Sequence, residues 1–157
     1  MPTTDHAAWI LAGNQHCQTE GSFPERSYRM VLLGAPGVGK GTQAEYLCRE
    51  LGTCHLSTGD VFRAAKCHEG DLSPVMRAAM ESMRRGELVS DETVIAMVHE
   101  RVGCLKCRYG FLLDGFPRTA AQAEALGNML WDRGLRLDAV LDYELPTEEI
   151  IARLSGR

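Results

Sequence analysis

Nowhere in the chain does an apolar run approach the roughly 18 residues that a membrane-spanning helix needs. The N-terminal "AAWILAG" is short and has no basic residue before it, so it makes a poor signal peptide. The expectation is a cytoplasmic protein with no membrane partner. Positive charge is also scarce: 17 Lys and Arg stand against 21 Asp and Glu, a formal charge of −4. A nucleic-acid partner would favour a basic balance, and none is expected. An anionic ligand must therefore be held by a few placed cations. There is no internal repeat, no low-complexity tract and nothing that implies secretion. The six cysteines are accordingly read as reduced thiols, with Cys48 in a helical pattern and Cys54 beside a strand pattern.

What is present suits a single folded unit. The 157 residues are 45% apolar and 24% charged, near the averages for globular chains. Residues 1–27 stand apart as an extension of small polar residues, Gly and Pro, with one short apolar patch. A disordered leader is one reading of it, and a partner-docking segment anchored by Trp9 and Ile10 is the other.

From Tyr28 the pattern alternates. "YRMVLLG" is a short apolar run ending at glycine, as expected of a strand buried on both faces. Helical spacing follows from Gly39 to about Leu51. "CHLST" is a second strand, with a helix from Asp60 to about Cys67. Ser73-Pro74 marks a helix start that runs to Gly86. Ser90 caps a helix to about Val102, "FLLDG" is a strand, and Thr119 opens a helix to about Arg133. "LDAVLDYEL" is a further strand and Thr147 caps a last helix. Strands alternating with helices predict an α/β fold, a parallel sheet flanked by helices on both faces.

The chemistry is densest in "GAPGVGKGT". Glycines let successive backbone N–H groups approach an anion, and the following helix adds its positive end. Lys40 supplies a mobile charge for terminal phosphates. The general phosphate-loop pattern places Ser or Thr directly after the lysine. Here Gly41 intervenes and the hydroxyl is Thr42. Alone, the loop specifies a nucleotide phosphate and no particular reaction.

Three further stretches narrow it: "HLSTGDVFRAA" at 55–65, "GFLLDGFPRTAAQAEAL" at 110–126 and "LDYELPTEEIIARLSGR" at 141–157. With "GAPGVGKGTQA", in this order and spacing, they resemble the adenylate kinase family of nucleoside monophosphate kinases over residues 28–157. The resemblance implies a three-layer P-loop kinase fold with a small helical AMP-binding subdomain at about 57–103. It implies reversible transfer of the terminal phosphoryl group of Mg-ATP to AMP, giving two ADP. ATP would then lie against Gly37, Val38, Gly39, Lys40, Gly41, Thr42 and Arg153. AMP would be held by Thr58, Gly59, Arg63, Leu88, Val89, Gly115, Arg118 and Gln122. Leu88 and Val89 would line the base and Gln122 would read adenine. In this family Thr58 goes with AMP, where pyrimidine kinases tend to have Ala.

Phosphoryl transfer asks for several cations converging on one point. Lys40, Arg63 and Arg118 sit where strands give way to loops, with Arg153 and Arg157 matching the arginines that open the family's lid. Lys40, Arg118, Arg153, Arg157 and Asp114 are the catalytic candidates. Asp114 ends an apolar strand, where a carboxylate suits magnesium or its waters, and the resemblance implies Asp60 as the family's second acidic residue near the metal. Magnesium, brought with ATP, is the cofactor implied.

"GCLKC" puts Cys104 and Cys107 at metal-knuckle spacing, with Cys67-His68 as an imaginable other half. That second pair lacks recognisable spacing, so two ordinary thiols and no zinc are expected.

The resemblance stops at Arg157, where the family's lid begins. The expectation is a truncated chain without the lid, the sheet's last strand and the closing helix, and with much reduced activity by itself. The full-length protein is expected to be a monomer. The strand around Leu137–Glu144 would be an unpaired apolar edge that invites association. Two other readings stay open: a kinase of the same fold acting on CMP, UMP or a non-nucleotide acceptor, and a nucleotide-binding module without catalysis.

Overall fold

The computed structural model describes residues 21–67 and 72–156. Its strands are β1 (Tyr28–Gly34), β2 (Cys54–Ser57), β3 (Gly110–Asp114) and β4 (Ala139–Tyr143). Its helices are α1 (Lys40–Leu51), α2 (Thr58–Cys67), α3 (Pro74–Arg84), α4 (Asp91–His99), α5 (Ala120–Trp131) and α6 (Thr147–Ser155), with a 3-10 turn at Val102–Lys106. The four strands form one parallel sheet in the order β2-β3-β1-β4. The fold is the expected α/β arrangement, a parallel sheet covered by helices.

Strand side chains alternate between faces, and that period divides the core. Met30 and Leu32 of β1 and Leu112 of β3 pack with Ala44 and Cys48 of α1. The intervening Val31, Phe111 and Leu113 join a larger cluster with Leu56, Val61, Met97, Phe116 and Leu126 on the other face. Phe111, Leu113, Leu56 and Phe116 have no solvent exposure. Each such side chain contributes about 1.5–3 kcal/mol by leaving water. This double covering is why β1 and β3 read as unbroken apolar runs.

Ser73, Ser90 and Thr119 each cap a helix, accepting from the amides of Met76, Thr93 and Gln122. Each satisfies a first-turn N–H that the helix itself leaves open. Thr147 does not cap. It is the first residue of α6, and Pro146 precedes it with its carbonyl accepting from Glu149 and Ile150. Helix α4 ends at His99, short of the expected Val102, because the chain tightens there. The amide of Arg101 bonds the Val98 carbonyl and a 3-10 turn follows. Arg101 itself turns inward and is 4% exposed, with Nη1 donating to Met97 O at 2.8 Å and to Glu100 Oε2 at 3.3 Å. Burial pushes its guanidinium pKa down, and Glu100 opposes that shift. Glu100 Oε2 also accepts from Ser73 Oγ at 2.9 Å, tying the start of α3 to the end of α4.

Strand β4 is shorter than the Leu137–Glu144 run because Asp138 is used as a clasp. Its amide donates to Arg29 O, and its Oδ2 accepts from Arg29 N at 2.8 Å. Oδ1 accepts from Arg26 Nη2 at 2.8 Å. Arg26 lies in the segment before β1, where Phe23 packs edge-on against Tyr109 with ring centroids 5.1 Å apart. Trp9 and Ile10 lie outside the described residues.

The bonds from Arg26 first, then Arg29, hold the Asp138 carboxyl below its ordinary value of 3.8. A depressed carboxyl stabilises the fold above its unfolded pKa and loses that contribution as pH falls through the folded value. The stability gap between wild type and Asp138→Asn is therefore expected to be constant near neutrality and to narrow below about pH 4. Urea midpoints at neutral and acid pH test this, and a gap that widens on acidification would refute it. Because the pair is open to solvent, added salt should also narrow the gap.

Among the described residues no strand pairs with the side of β4 facing away from β1. Val140 on β4 is 54% exposed, as are Ile151 (58%) and Leu154 (44%) on α6. No helix of the described residues is long and apolar enough to cross a membrane.

Candidate active site

All four strands run the same way, so their C-terminal ends share one edge. Leu32 of β1 is level with Asp114 of β3, and Ser57 of β2 is level with the same Asp114. From β1 the chain passes over β3 to β2, and from β3 it passes over β1 to β4. The crevice between β1 and β3 is thus the point where the strand order reverses, the usual ligand position in an open parallel sheet.

A cleft of about 360 Å³ opens there. Gly37, Gly39, Lys40, Gly41 and Thr42 border it from the loop and α1, Ser57, Gly59 and Arg63 from the second strand's end, and Asp114, Gly115 and Arg118 from the third's. The structure therefore brings together most of the residues that the sequence singles out.

The loop is built by its glycines. Gly37 and Gly39 have φ of +87° and +102°, conformations that side chains other than glycine rarely adopt. Val38, only 8% exposed, anchors the loop into the core between them. Lys40 folds back over the loop, its Nζ donating to Gly34 O at 2.8 Å and Ala35 O at 3.0 Å. An ammonium has three donors and seeks oxygen, and here the loop's own carbonyls supply it.

The two arginines are held differently. Arg63 pairs with Asp60 one helical turn before it. Asp60's amide donates to Ser57 Oγ, which fixes the start of α2. Arg118 Nε donates to Gly115 O at 2.8 Å, and Thr58 Oγ1 donates to the same carbonyl at 3.1 Å. Gly115 has φ +82°, and a Cβ there would fall 2.6 Å from Thr58 Oγ1. The close approach of the two turns requires glycine.

Asp114 is half-buried, with its Oδ2 3.6 Å from His55 Nε2. Burial alone would raise its pKa. His55, Lys40 and Arg118 outweigh that, and the carboxyl sits below the usual carboxylate range. It is an anion held between cations.

Gln122 is 4% exposed. Its Oε1 accepts from Arg118 N at 2.8 Å, and its Nε2 donates to Asp91 Oδ1 at 2.7 Å. Arg153 reaches the loop from α6, Nη1 donating to Gly37 O at 3.5 Å. Arg157 lies outside the described residues. Leu88 is 97% exposed and Val89 half-buried, and neither borders the cleft.

Sequence reasoning missed His55 and Asp91. His55 sits on a strand whose neighbours are apolar, and only the register with β3 places it beside Asp114. Asp91 reads as an ordinary acidic residue after a helix cap. Its contact to Gln122 spans 31 positions.

Cys48, Cys54, Cys104 and Cys107 are thiols. Burial pushes Cys48 up to about 11, Thr53 opposing. Among the described residues no three His, Cys, Asp or Glu side chains gather as a metal-binding group. His68 lies outside the described residues.

A glycine-rich loop between a buried strand and a helix, with cations converging on the switch point, defines a P-loop protein of the parallel α/β class. A family model described as Adenylate kinase matches residues 32–156. The chain is 53% identical over 129 residues to the adenylate kinase of Carboxydothermus hydrogenoformans, covering 82% of this chain and 59% of that protein. It is 52% identical over 128 residues to that of Desulforamulus reducens, covering 82% and 59%. To that of Bacillus pumilus it is 48% identical over 128 residues, covering 82% and 58%. The chain belongs to the adenylate kinase family. It spans rather under two thirds of the length of these curated relatives.

Proposed function

We propose that this protein transfers the terminal phosphoryl group of ATP to AMP, reversibly, giving two ADP. The observation that carries the reading is the convergence of Lys40, Arg63 and Arg118 with the glycine loop on one cleft at the switch point. ATP phosphates lie along Gly37 to Thr42, on amides and the N-terminal end of α1. Lys40 leaves the Gly34 and Ala35 carbonyls for the phosphate oxygens. Arg63 and Arg118 offer planar forks to the AMP phosphate, and Thr58 and Gly59 line its approach. Leu88 and Val89 cover the base only if their segment closes over it. Arg153 and Arg157 add charge on the ATP side.

The attacking group is an AMP phosphate oxygen, already anionic, so no base has to remove a proton. It forms a bond to the terminal phosphorus of ATP while the bond from that phosphorus to the bridging oxygen breaks, and ADP leaves. The protein's work is positioning and charge compensation.

The donor set also fits magnesium. Asp114 and Thr42 border the same cleft and offer hard oxygen ligands, with Asp114 kept ionised by its cationic neighbours. Asp114 would hold the ion or its waters, with Asp60 as a second contact. Bound with ATP, the ion neutralises charge on the phosphate oxygens. With it goes a cytoplasmic protein without nucleic-acid or membrane partners, monomeric at full length, with association through the open edge of β4 available to this chain.

The test is ADP formation from Mg-ATP with AMP, CMP or UMP. AMP should support turnover, with the pyrimidine nucleotides at least about tenfold slower. Equal rates with CMP or UMP would overturn the acceptor assignment, and no AMP-dependent ADP would overturn the claim that these 157 residues are by themselves an enzyme.

A further inference from the structure

We infer that Asp91 is a specificity-determining positioning residue: it locks the amide of Gln122 in the one orientation that reads adenine. The inference rests on the AMP reading of the cleft, and deepens it.

A glutamine amide has two N–H donors and two carbonyl lone pairs. In Gln122 one of each is committed. Nε2 donates to Asp91 Oδ1 at 2.7 Å, and Oε1 accepts from Arg118 N at 2.8 Å. These partners admit one orientation. An ionised carboxylate only accepts and a backbone amide only donates, so rotating the amide by half a turn would set oxygen against carboxylate and N–H against N–H. Asp91 is itself fixed by Thr119, whose Oγ1 donates to Asp91 Oδ2 at 2.6 Å while accepting from Gln122 N at 3.2 Å. The amide is thus clamped by Asp91 on α4 and by the turn after β3, with Thr119, the cap of α5, holding Asp91 in place.

Among the described residues, one donor and one acceptor remain uncommitted on an amide that is 4% exposed. Each polar atom of the amide is satisfied once and keeps capacity for one more bond, which a ligand can take up. A fixed donor beside a fixed acceptor complements the adenine edge, where the N6 amino group donates and the adjacent ring nitrogen accepts. Inosine monophosphate presents the reverse, a carbonyl at position 6 and an N–H at position 1. A clamped amide rejects it, whereas an amide free to turn accommodates both. Arg118 couples the two halves of the ligand, its backbone amide on Gln122 and its guanidinium at the cleft.

The test is calorimetric titration of AMP, inosine monophosphate and ATP into the 157-residue chain, wild type and variants. Wild type should prefer AMP over inosine monophosphate by about tenfold or more. Asp91→Ala should weaken AMP by about tenfold, bring the two nucleotides to near parity and leave ATP affinity unchanged. Asp91→Asn, whose Oδ1 still accepts from Gln122 Nε2, should restore the preference. Asp91→Ser keeps a residue suited to a helix start and gives the same reading if the alanine variant misfolds. A purely structural Asp91 would lower stability without moving the ratio of the two affinities. If wild type prefers AMP and both short variants keep that preference, the inference falls and the AMP reading stands. If wild type shows no preference between the nucleotides, the base reading falls and takes the inference with it.

Discussion

Gly110→Ala is expected to lower the unfolding free energy by about 4 kcal/mol or more, a size reserved for changes that break a structural constraint. Gly110 opens β3 at φ +89°, where its amide closes a turn on the Cys107 carbonyl at 2.9 Å. That conformation alone costs an alanine about 1–2 kcal/mol. Steric contact costs it more. A Cβ at this position would fall inside the van der Waals envelope of the Tyr28 carbonyl oxygen and 2.7 Å from the Tyr28 nitrogen. Both are backbone atoms of β1, so no side chain can swing aside. Tyr28 and Gly110 are also the first register pair of the central β1–β3 ladder, and relief of the clash opens that ladder from its end. Gly127 provides the control. It lies on the exposed face of α5 with nothing within 4 Å of an added Cβ. Gly127→Ala should therefore stabilise by about 0.5–1 kcal/mol through helix propensity. Urea unfolding of both variants decides the matter. A Gly110→Ala protein within about 1 kcal/mol of wild type would sink the steric account.

What the sequence reveals and what it hides follow from the range of the interaction. Element type is written locally. The apolar runs of β1 and β3 and the caps Ser73, Ser90 and Thr119 each act within a few residues, and all appear where expected. Ends are less legible, because they depend on competing partners. Thr147 carries a capping hydroxyl, but the Pro146 carbonyl starts α6 in its place. Asp138 leaves the strand pattern because it serves the amide of Arg29, more than a hundred positions away. The strand order is not visible in any local pattern, and it alone explains why the loop after β1 meets Asp114 at the end of β3.

The candidate site divides in the same way. Lys40, Arg63, Asp114 and Arg118 each carry a signal, a charge just past an apolar strand or in a glycine turn. His55 and Asp91 carry none. Each is an unremarkable residue until β2 pairs with β3, or α4 packs beside α5. The burial of Gln122 is likewise tertiary, since its helix is otherwise exposed at Ala121, Ala123 and Glu124.

Lys40→Ala is expected to reduce AMP-dependent ADP formation by about 100- to 1000-fold while leaving the fold intact. Among the described residues the ammonium donates to two carbonyls of its own loop, Gly34 O and Ala35 O. Those bonds lie at the surface, where exchange with water makes each worth about 1 kcal/mol or less. Loss of the side chain should therefore barely move the urea midpoint. The charge matters when phosphate oxygens lie over the loop. Negative charge shifts during transfer from the terminal group toward the bridging oxygen, and a cation placed there stabilises the transition state more than bound ATP. Much of the loss should consequently appear in kcat, with a smaller change in the KM for ATP. Lys40→Arg is not expected to rescue activity. A planar guanidinium is wider than a compact ammonium and cannot fold under a loop whose backbone turns so closely. Initial rates at saturating AMP, alongside circular dichroism and urea midpoints, separate the two effects. Turnover within about threefold of wild type, at equal stability, would remove Lys40 from the catalytic machinery, since a lost phosphate-stabilising charge cannot cost so little. A loss confined to the KM for ATP would leave it as a binding residue that the transition state does not use.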